Sequence, residues 1–85
     1  MGHTPFGYRI ENGKAVTDES AAAQVRDLYK HYLSGLSLTN AAKEAGLDLL
    51  HAGAKRMMLN RHYLGDDFYP AIIDPASFDA VSAEL

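Results

Sequence analysis

The chain contains no cysteine among its 85 residues. This excludes disulfide bonds and thiolate metal sites, and it fits a reducing compartment. The sequence also lacks a run of about 18 apolar residues and a basic-then-apolar N-terminal segment of the kind that directs secretion. We therefore expect a soluble, cytoplasmic protein that does not cross a membrane.

Basic residues are missing from the last part of the chain. Residues 66–85 carry five acids and no Lys or Arg, whereas residues 38–65 carry four basic residues against two acids. Residues 1–37 are balanced, and the whole chain has a net charge of −3. Because phosphates attract cations, the middle of the chain is the part expected to face a nucleic acid, with the C-terminal part turned away.

Motifs of enzymes and metal sites are missing too. His3, His31, His51 and His62 are too scattered to form a metal-binding signature. The serines lie in no nucleophile-elbow context, and there is no glycine-rich phosphate loop. The sequence therefore predicts no catalytic activity, no cofactor, no metal and no small-molecule substrate.

The length fits one small domain, residues 1–85, with a modest core. Its first half predicts a hairpin and a helix. Asn12-Gly13 suits a type I′ turn between strands at residues 8–10 and 14–16, with Glu11 and Lys14 placed to pair across it. A helix is expected over residues 19–34, capped by Thr17 or Asp18 and ended by Gly35. Its spacing predicts a buried face made of Val25, Leu28, Tyr29, Tyr32 and Leu33.

Two shorter helices are expected next. The first covers residues 38–45, with Ser37 as its cap and a surface of small residues at Ala41, Ala42 and Ala45. The second covers residues 49–60, with Asp48 as its cap and an apolar stripe of Leu50, Ala54, Met57 and Met58. A three-residue joint, Gly46-Leu47-Asp48, would give the pair the form of a helix-turn-helix.

The C-terminal part predicts an extended segment and a last helix. Residues 68–73 are apolar and aromatic, with Pro70 marking an edge or a bend. Asp74 and Pro75 form a helix start, and Phe78 and Val81 are the expected inward residues, with Leu85 as a possible third. The predicted fold class is therefore α+β, mostly α.

The polar face of the third helix carries the candidate nucleic-acid contacts. His51 and Lys55 lie four residues apart, as do Arg56 and Asn60, so each pair is expected to point the same way. Arg can read guanine and Asn can read adenine in the major groove. Lys55 and Arg61 could instead neutralise phosphates. Short amphipathic helices with solvated basic residues also occur in bundles that bind no nucleic acid, so both interpretations stay open.

Several segments, in order, resemble the recombinase domain of large serine recombinases. They are TPFGYRI at residues 4–10, NGK at 12–14, AQVRDLY at 23–29, YLSGLSL at 32–38, AAKEAG at 41–46, MLNRHYLG at 58–65 and IIDPASF at 72–78. The MLNRHYLG segment is similar to the Leu-Asn-x-x-Tyr-x-Gly segment of that domain. The resemblance spans nearly the whole chain.

The resemblance implies a role in site-specific recombination. In that family the domain follows a resolvase catalytic domain, precedes a zinc ribbon, and grips attachment-site DNA with a helix in the major groove. Carried onto this chain, it implies that four residues lie at or near DNA: Lys55, Arg56, Asn60 and Arg61. It also implies structural roles for Pro5, Gly7, Tyr8, Tyr63 and Gly65. Double-stranded DNA is the expected partner, and a recombinase catalytic domain or subunit a possible second one.

A protein-interaction module that docks on a recombinase or on its own copy is the alternative function. Phe68, Tyr69 and Ile72, beside the acids Asp66 and Asp67, could form such a surface, or they could cover the hairpin and the first helix. The two functions differ in the surface that they predict. DNA binding predicts one exposed face with Lys55, Arg56 and Arg61; an interaction module predicts an exposed apolar patch and no basic face.

Overall fold

A computed structural model describes residues 4–85 and shows an N-terminal hairpin followed by helices. The elements are β1 (Tyr8–Glu11), β2 (Lys14–Thr17), α1 (Glu19–Leu33), α2 (Leu38–Glu44), α3 (His51–Met58), a short 3₁₀ helix (Arg61–Leu64) and α4 (Pro75–Glu84). The predicted α+β, mostly α fold class is confirmed. His3 lies outside the described residues.

The hairpin closes through a two-residue turn. Glu11 pairs with Lys14 in the antiparallel register, and Asn12 and Gly13 both have positive φ, at 52° and 76°. These are the angles that a type I′ turn requires, as predicted from Asn-Gly. The side chain of Glu11 does not pair with Lys14, however, because its carboxylate accepts a 2.6 Å hydrogen bond from Nε of Arg9 on the same strand.

Helix α1 has the expected bounds to within one residue. The carboxylate of Asp18 accepts from the backbone N–H of Ala21, so Asp18 rather than Thr17 is the N-cap. At the other end Gly35 adopts a φ of 113° and donates to the carbonyl of Tyr32. This left-handed residue ends the helix in the way that a C-terminal glycine commonly does.

The buried face of α1 agrees with its apolar spacing except at the last turn. Val25, Leu28 and Tyr29 are buried, and Tyr32 is half-buried. Leu33 is 42% exposed, so its predicted place in the core is wrong. It is the last residue of α1, where the chain turns away towards α2.

Helix α2 is capped as expected and has a small-residue surface. The hydroxyl of Ser37 accepts from the N–H of Asn40 at 3.2 Å. Ala41, Ala42 and Ala45 are all buried. Because α2 packs against both α1 and α3, these short side chains let the three helices come close together.

Helix α3 is shorter than predicted and begins later. Its N-cap is Leu50, which makes no side-chain capping hydrogen bond, so the assignment of Asp48 as the cap is wrong. The stripe is also partly wrong, because Ala54 and Met58 are buried and Met57 is half-buried, but Leu50 is 80% exposed.

The segment between α2 and α3 is accordingly longer than the expected joint. Residues 45–50 separate the two helices, whereas the turn of a DNA-binding helix-turn-helix has about three to four residues. Leu47 and Leu49 pack against the core and fix the course of this segment. The structure does not confirm the predicted helix-turn-helix, although α2 and α3 are consecutive and in contact.

The segment before α4 has irregular backbone rather than a strand. The N–H groups of Ile72 and Ile73 both donate to the carbonyl of Tyr63, at 2.9 Å each, so they are bound by the 3₁₀ helix and not by the hairpin. Helix α4 then begins as predicted. Asp74 accepts from the N–H of Ser77, and Pro75 is the first helical residue.

The core lies where the helices meet the 3₁₀ helix. Its largest fully buried side chains are Tyr29, Tyr63, Leu28, Met58, Val25 and Val81. Phe78 is buried too, and Leu85 packs against this core, so the inward residues predicted for α4 are confirmed. No helix within residues 4–85 has the length and apolar character needed to cross a membrane.

Tyrosine hydroxyls connect the hairpin region to the C-terminal half. Tyr63 donates to the carbonyl of Phe6 at 2.8 Å, and Tyr8 shares its one hydroxyl proton between the carbonyls of His62 and Pro70, at 2.8 and 2.6 Å. Gly65, at a φ of 90°, also lies close to this junction, because an added Cβ would be 3.1 Å from the backbone nitrogen of Ala71. These contacts hold the 3₁₀ helix, and hence the end of α3, in a fixed position.

Candidate nucleic-acid interface

The exposed face of α3 carries three of the five predicted contact residues. His51, Lys55 and Arg56 are exposed, while Ala54 and Met58 of the same helix are buried in the core. At about 100° per residue, His51 and Lys55 lie about 40° apart and Arg56 about 100° beyond Lys55. The three side chains therefore span an arc of about 140°, with Lys55 and Arg56 facing solvent and His51 at the edge of the arc, about 20° from the buried Met58.

The two cations of this face are not neutralised by acidic side chains. Within residues 4–85 the ion pairs are Arg9–Glu11 and His62–Asp66. Neither Lys55 nor Arg56 takes part in them, and no carboxylate of the described chain lies within 4 Å of their charged atoms. Their charges are therefore available to an anionic partner.

Asn60 is placed differently from the prediction. It lies after the end of α3 and is the N-cap of the 3₁₀ helix, where its side-chain oxygen accepts from the N–H of His62 at 3.0 Å. Because the cap already uses that oxygen, a paired contact to adenine would compete with the cap. The expectation that Asn60 and Arg56 project together from one helix is wrong, because the helix ends at Met58.

Arg61 is exposed but lies on the 3₁₀ helix rather than on α3. The central carbon of its guanidinium is 5.7 Å from the centre of the Phe78 ring. This is the distance range of a cation–π contact, which holds the side chain against α4. The structure therefore brings His51, Lys55 and Arg56 together and places Asn60 and Arg61 on the following element.

An acid of α4 lies beside the basic face. A cavity of about 300 Å³ is lined by both His51 and Lys55 and by Glu84 near the end of α4. Its remaining lining residues are Tyr32, Ser37, Leu38 and Leu85. Part of the acidic C-terminal region is thus next to Lys55, contrary to the expectation that this region would be turned away from the basic face.

Two residues of α1 position α2 and α3, a role that was not predicted from the sequence. The hydroxyl of Tyr29 donates to the carbonyl of Met58 at 2.5 Å, and the side-chain amide of Gln24 donates to the carbonyls of Ala45 and Gly46. Carbonyls at helix ends lack intrahelical partners. The two side chains supply hydrogen-bond donors to these carbonyls and so fix the ends of α2 and α3. The one signal in the sequence was a glutamine directly before Val25 of the apolar face of α1.

The surface proposed for the alternative function is largely used inside the molecule. Ile72 is buried, and Tyr69 is half-buried with its ring 4.9 Å from that of Tyr8. Asp66 accepts hydrogen bonds from the backbone of Tyr69 and Phe68 and from His62, which together lower the pKa of its carboxyl. Phe68, at 48% exposure, is the one strongly exposed aromatic of this group.

The described residues contain no group of three or more His, Asp or Glu side chains that could hold a metal ion. His62 and Asp66 form a 2.8 Å pair with a structural role in the loop after the 3₁₀ helix. Comparisons with protein families, with curated proteins and with solved structures find no match to this chain.

Proposed function

We propose that this chain binds double-stranded DNA through the exposed face of α3, in the setting of site-specific recombination, and that it has no catalytic activity of its own. The observation that carries the proposal is the arc of His51, Lys55 and Arg56, whose cations make no internal ion pair. The recombination setting rests on the resemblance to the recombinase domain alone.

The dimensions of α3 support this use. An α-helix with its side chains is about 10–12 Å across, and the major groove is about 12 Å wide. The eight residues of α3 are backed by the buried residues Ala54 and Met58, so the helix is presented on a firm base. In this proposal α2 and α3 act as a helix-turn-helix with an extended joint. Arg56 contacts a guanine edge, Lys55 contacts a phosphate, and Arg61 reaches the flanking backbone.

Binding of labelled duplex DNA, measured by fluorescence anisotropy at about 50 and 200 mM salt, tests the proposal, since phosphate contacts make affinity fall with salt. The double variant Lys55→Gln/Arg56→Gln removes both cations of the α3 face. The matched control, Lys14→Gln/Lys30→Gln, removes two exposed cations from the hairpin and α1. Both variants have the same net charge.

We expect the α3 variant to lower the slope of log affinity against log salt by about one unit, because Lys55 contacts a phosphate and Arg56 a base. The control is expected to leave the slope unchanged. If the folded wild-type chain does not bind duplex DNA at low salt, the proposal is overturned. An equal loss of affinity in both variants would indicate that the DNA contacts lie outside α3.

A further inference from the structure

Leu50 has the most exposed large apolar side chain of the described chain, at 80%. It lies directly before α3, in the segment that follows α2. Its neighbours Leu47 and Leu49 pack against the core, and Leu50 does not. Because the two anchored leucines fix the segment on either side of Asp48, the outward direction of Leu50 is a property of the fold.

Leu50 also contributes nothing to the start of the helix beyond its backbone. It occupies the N-cap position, where its carbonyl accepts from Ala54 but its side chain makes no capping hydrogen bond. Ser, Thr, Asp and Asn are strongly preferred at this position, and Leu is among the least suitable residues. Neither core packing nor capping therefore accounts for a leucine here.

The groove beside Leu50 combines apolar side chains with a lysine, so it suits an anionic partner that also carries apolar groups. Leu50 lines an open groove of about 470 Å³ together with Thr39, Lys43, Gly46 and Asp48, and His51 follows it on α3. Lys43 is exposed and makes no ion pair within the described residues, like the cations of α3. Asp48 is the one acid that lines the groove.

We propose that Leu50 is a specificity residue that packs on the C5-methyl group of a thymine in the major groove, while Lys43 contacts a neighbouring phosphate. This inference rests on the proposed function. The first residues of a recognition helix are those that meet base edges, and the helix before it crosses the DNA backbone. Thymine is the base that presents a methyl group in the major groove, and apolar side chains recognise it by contact.

Replacing thymine by uracil isolates this contact, because uracil lacks the methyl group and keeps the same hydrogen-bonding edge. The probes are a mixed-sequence duplex with both G·C and A·T pairs, which keeps the guanine contact of Arg56 available, and the same duplex with uracil at every thymine position. The affinity ratio between them is measured for the wild type, for Leu50→Ser and for Leu33→Ser. Leu33 is the matched control because it is an exposed leucine of α1. Serine at position 50 is a better N-cap than leucine, so Leu50→Ser is expected to fold.

We expect the wild type and Leu33→Ser to bind the thymine duplex about fourfold more tightly, the effect of burying one methyl-sized group. Leu50→Ser is expected to bind both duplexes equally. A wild type that binds both duplexes equally, or a Leu50→Ser variant that keeps the wild-type ratio, overturns the role of Leu50 and leaves the DNA-binding function in place. Failure of the wild type to bind either duplex overturns both.

Discussion

The hydroxyl of Tyr29 in α1 donates a hydrogen bond to the carbonyl oxygen of Met58, the last residue of α3. Both residues are buried, at a point where α1 supports the candidate DNA-binding helix from behind. The contact couples the position of α3 to the longest helix of the molecule. The residues on the exposed face of α3 therefore depend on a bond that lies on its hidden side.

Tyr29→Phe is expected to destabilise the protein by about 1–3 kcal/mol, because it leaves a buried carbonyl without a partner. Tyr32→Phe is the control, since Tyr32 is half-buried and its hydroxyl makes no hydrogen bond within the described chain, and it should change stability by no more than about 0.5 kcal/mol. Urea denaturation followed by circular dichroism measures both. Equal effects of the two substitutions would contradict the importance of the Tyr29–Met58 bond.

Stability is expected to fall at alkaline pH because of the buried tyrosines. Burial, with a smaller effect of the Asp66 charge, raises the pKa of Tyr8 from 10.0 to about 12, and burial raises the pKa of Tyr29 and Tyr63 as well. The folded state thus favours the neutral phenols. Their contribution is complete below pH 10 and is lost as the pH rises towards 12 and above.

Urea midpoints measured at increasing pH test this expectation, with tyrosinate absorbance recorded in parallel. The buried phenols of Tyr8, Tyr29 and Tyr63 should form tyrosinate together with unfolding. A urea midpoint that stays constant through the titration of all tyrosines would contradict it.

Gly53→Ala is expected to stabilise the chain by about 0.5–1 kcal/mol, the helix preference of alanine over glycine. Gly53 lies within α3, and an added Cβ would meet the Leu49 side chain at an ordinary 3.6 Å. Gly65→Ala is the contrasting variant, because the positive φ and the close Ala71 backbone make any side chain strained there. Thermal unfolding of both variants measures the difference, and a destabilised Gly53→Ala would contradict the geometry of α3.

Single substitutions on the α3 face should have different effects on DNA binding. Arg56→Ala is expected to weaken binding by an amount that depends on the DNA sequence, about 1–3 kcal/mol at a guanine contact. Lys55→Ala should weaken binding to all sequences and lower the salt slope by about one unit. Anisotropy titrations with several unrelated duplexes measure both quantities. Unchanged affinity in both variants would show that α3 does not contact the DNA.

Glu84→Gln is expected to strengthen DNA binding by up to about fivefold at low salt, the range of a surface charge interaction. Glu84 lines the same cavity as Lys55, so its charge opposes the approach of a phosphate. Asp79→Asn removes one exposed charge from the same helix away from that cavity and is the control. A gain of equal size in both variants would indicate an effect of net charge and not of the position of Glu84.

Local signals in the sequence predicted most of the fold. The hairpin turn, the caps at Asp18, Ser37 and Asp74, and the glycine that ends α1 each depend on residues within one helical turn or one β-turn. The angles and bonds that they require are set by neighbours along the chain. The structure confirms these predictions for that reason.

The candidate site was predicted less well. The periodic pattern extended α3 to residues 49–60 because it continued through Asn60, whereas the helix spans His51–Met58. Capping of the 3₁₀ helix engages Asn60, and the Phe78 ring holds Arg61. These contacts are made with the 3₁₀ helix and with α4. The apolar periodicity of α3 carries no information about either of them.

The sequence by itself determined the α+β class, the order of the hairpin and the α-helices, and the presence of a basic middle region. The tertiary structure alone decided where α3 begins, that Leu50 faces solvent, and that Glu84 lies beside Lys55. Turns and caps are satisfied by residues close in sequence, whereas these three features depend on how Leu47, Leu49 and α4 pack against distant parts of the chain.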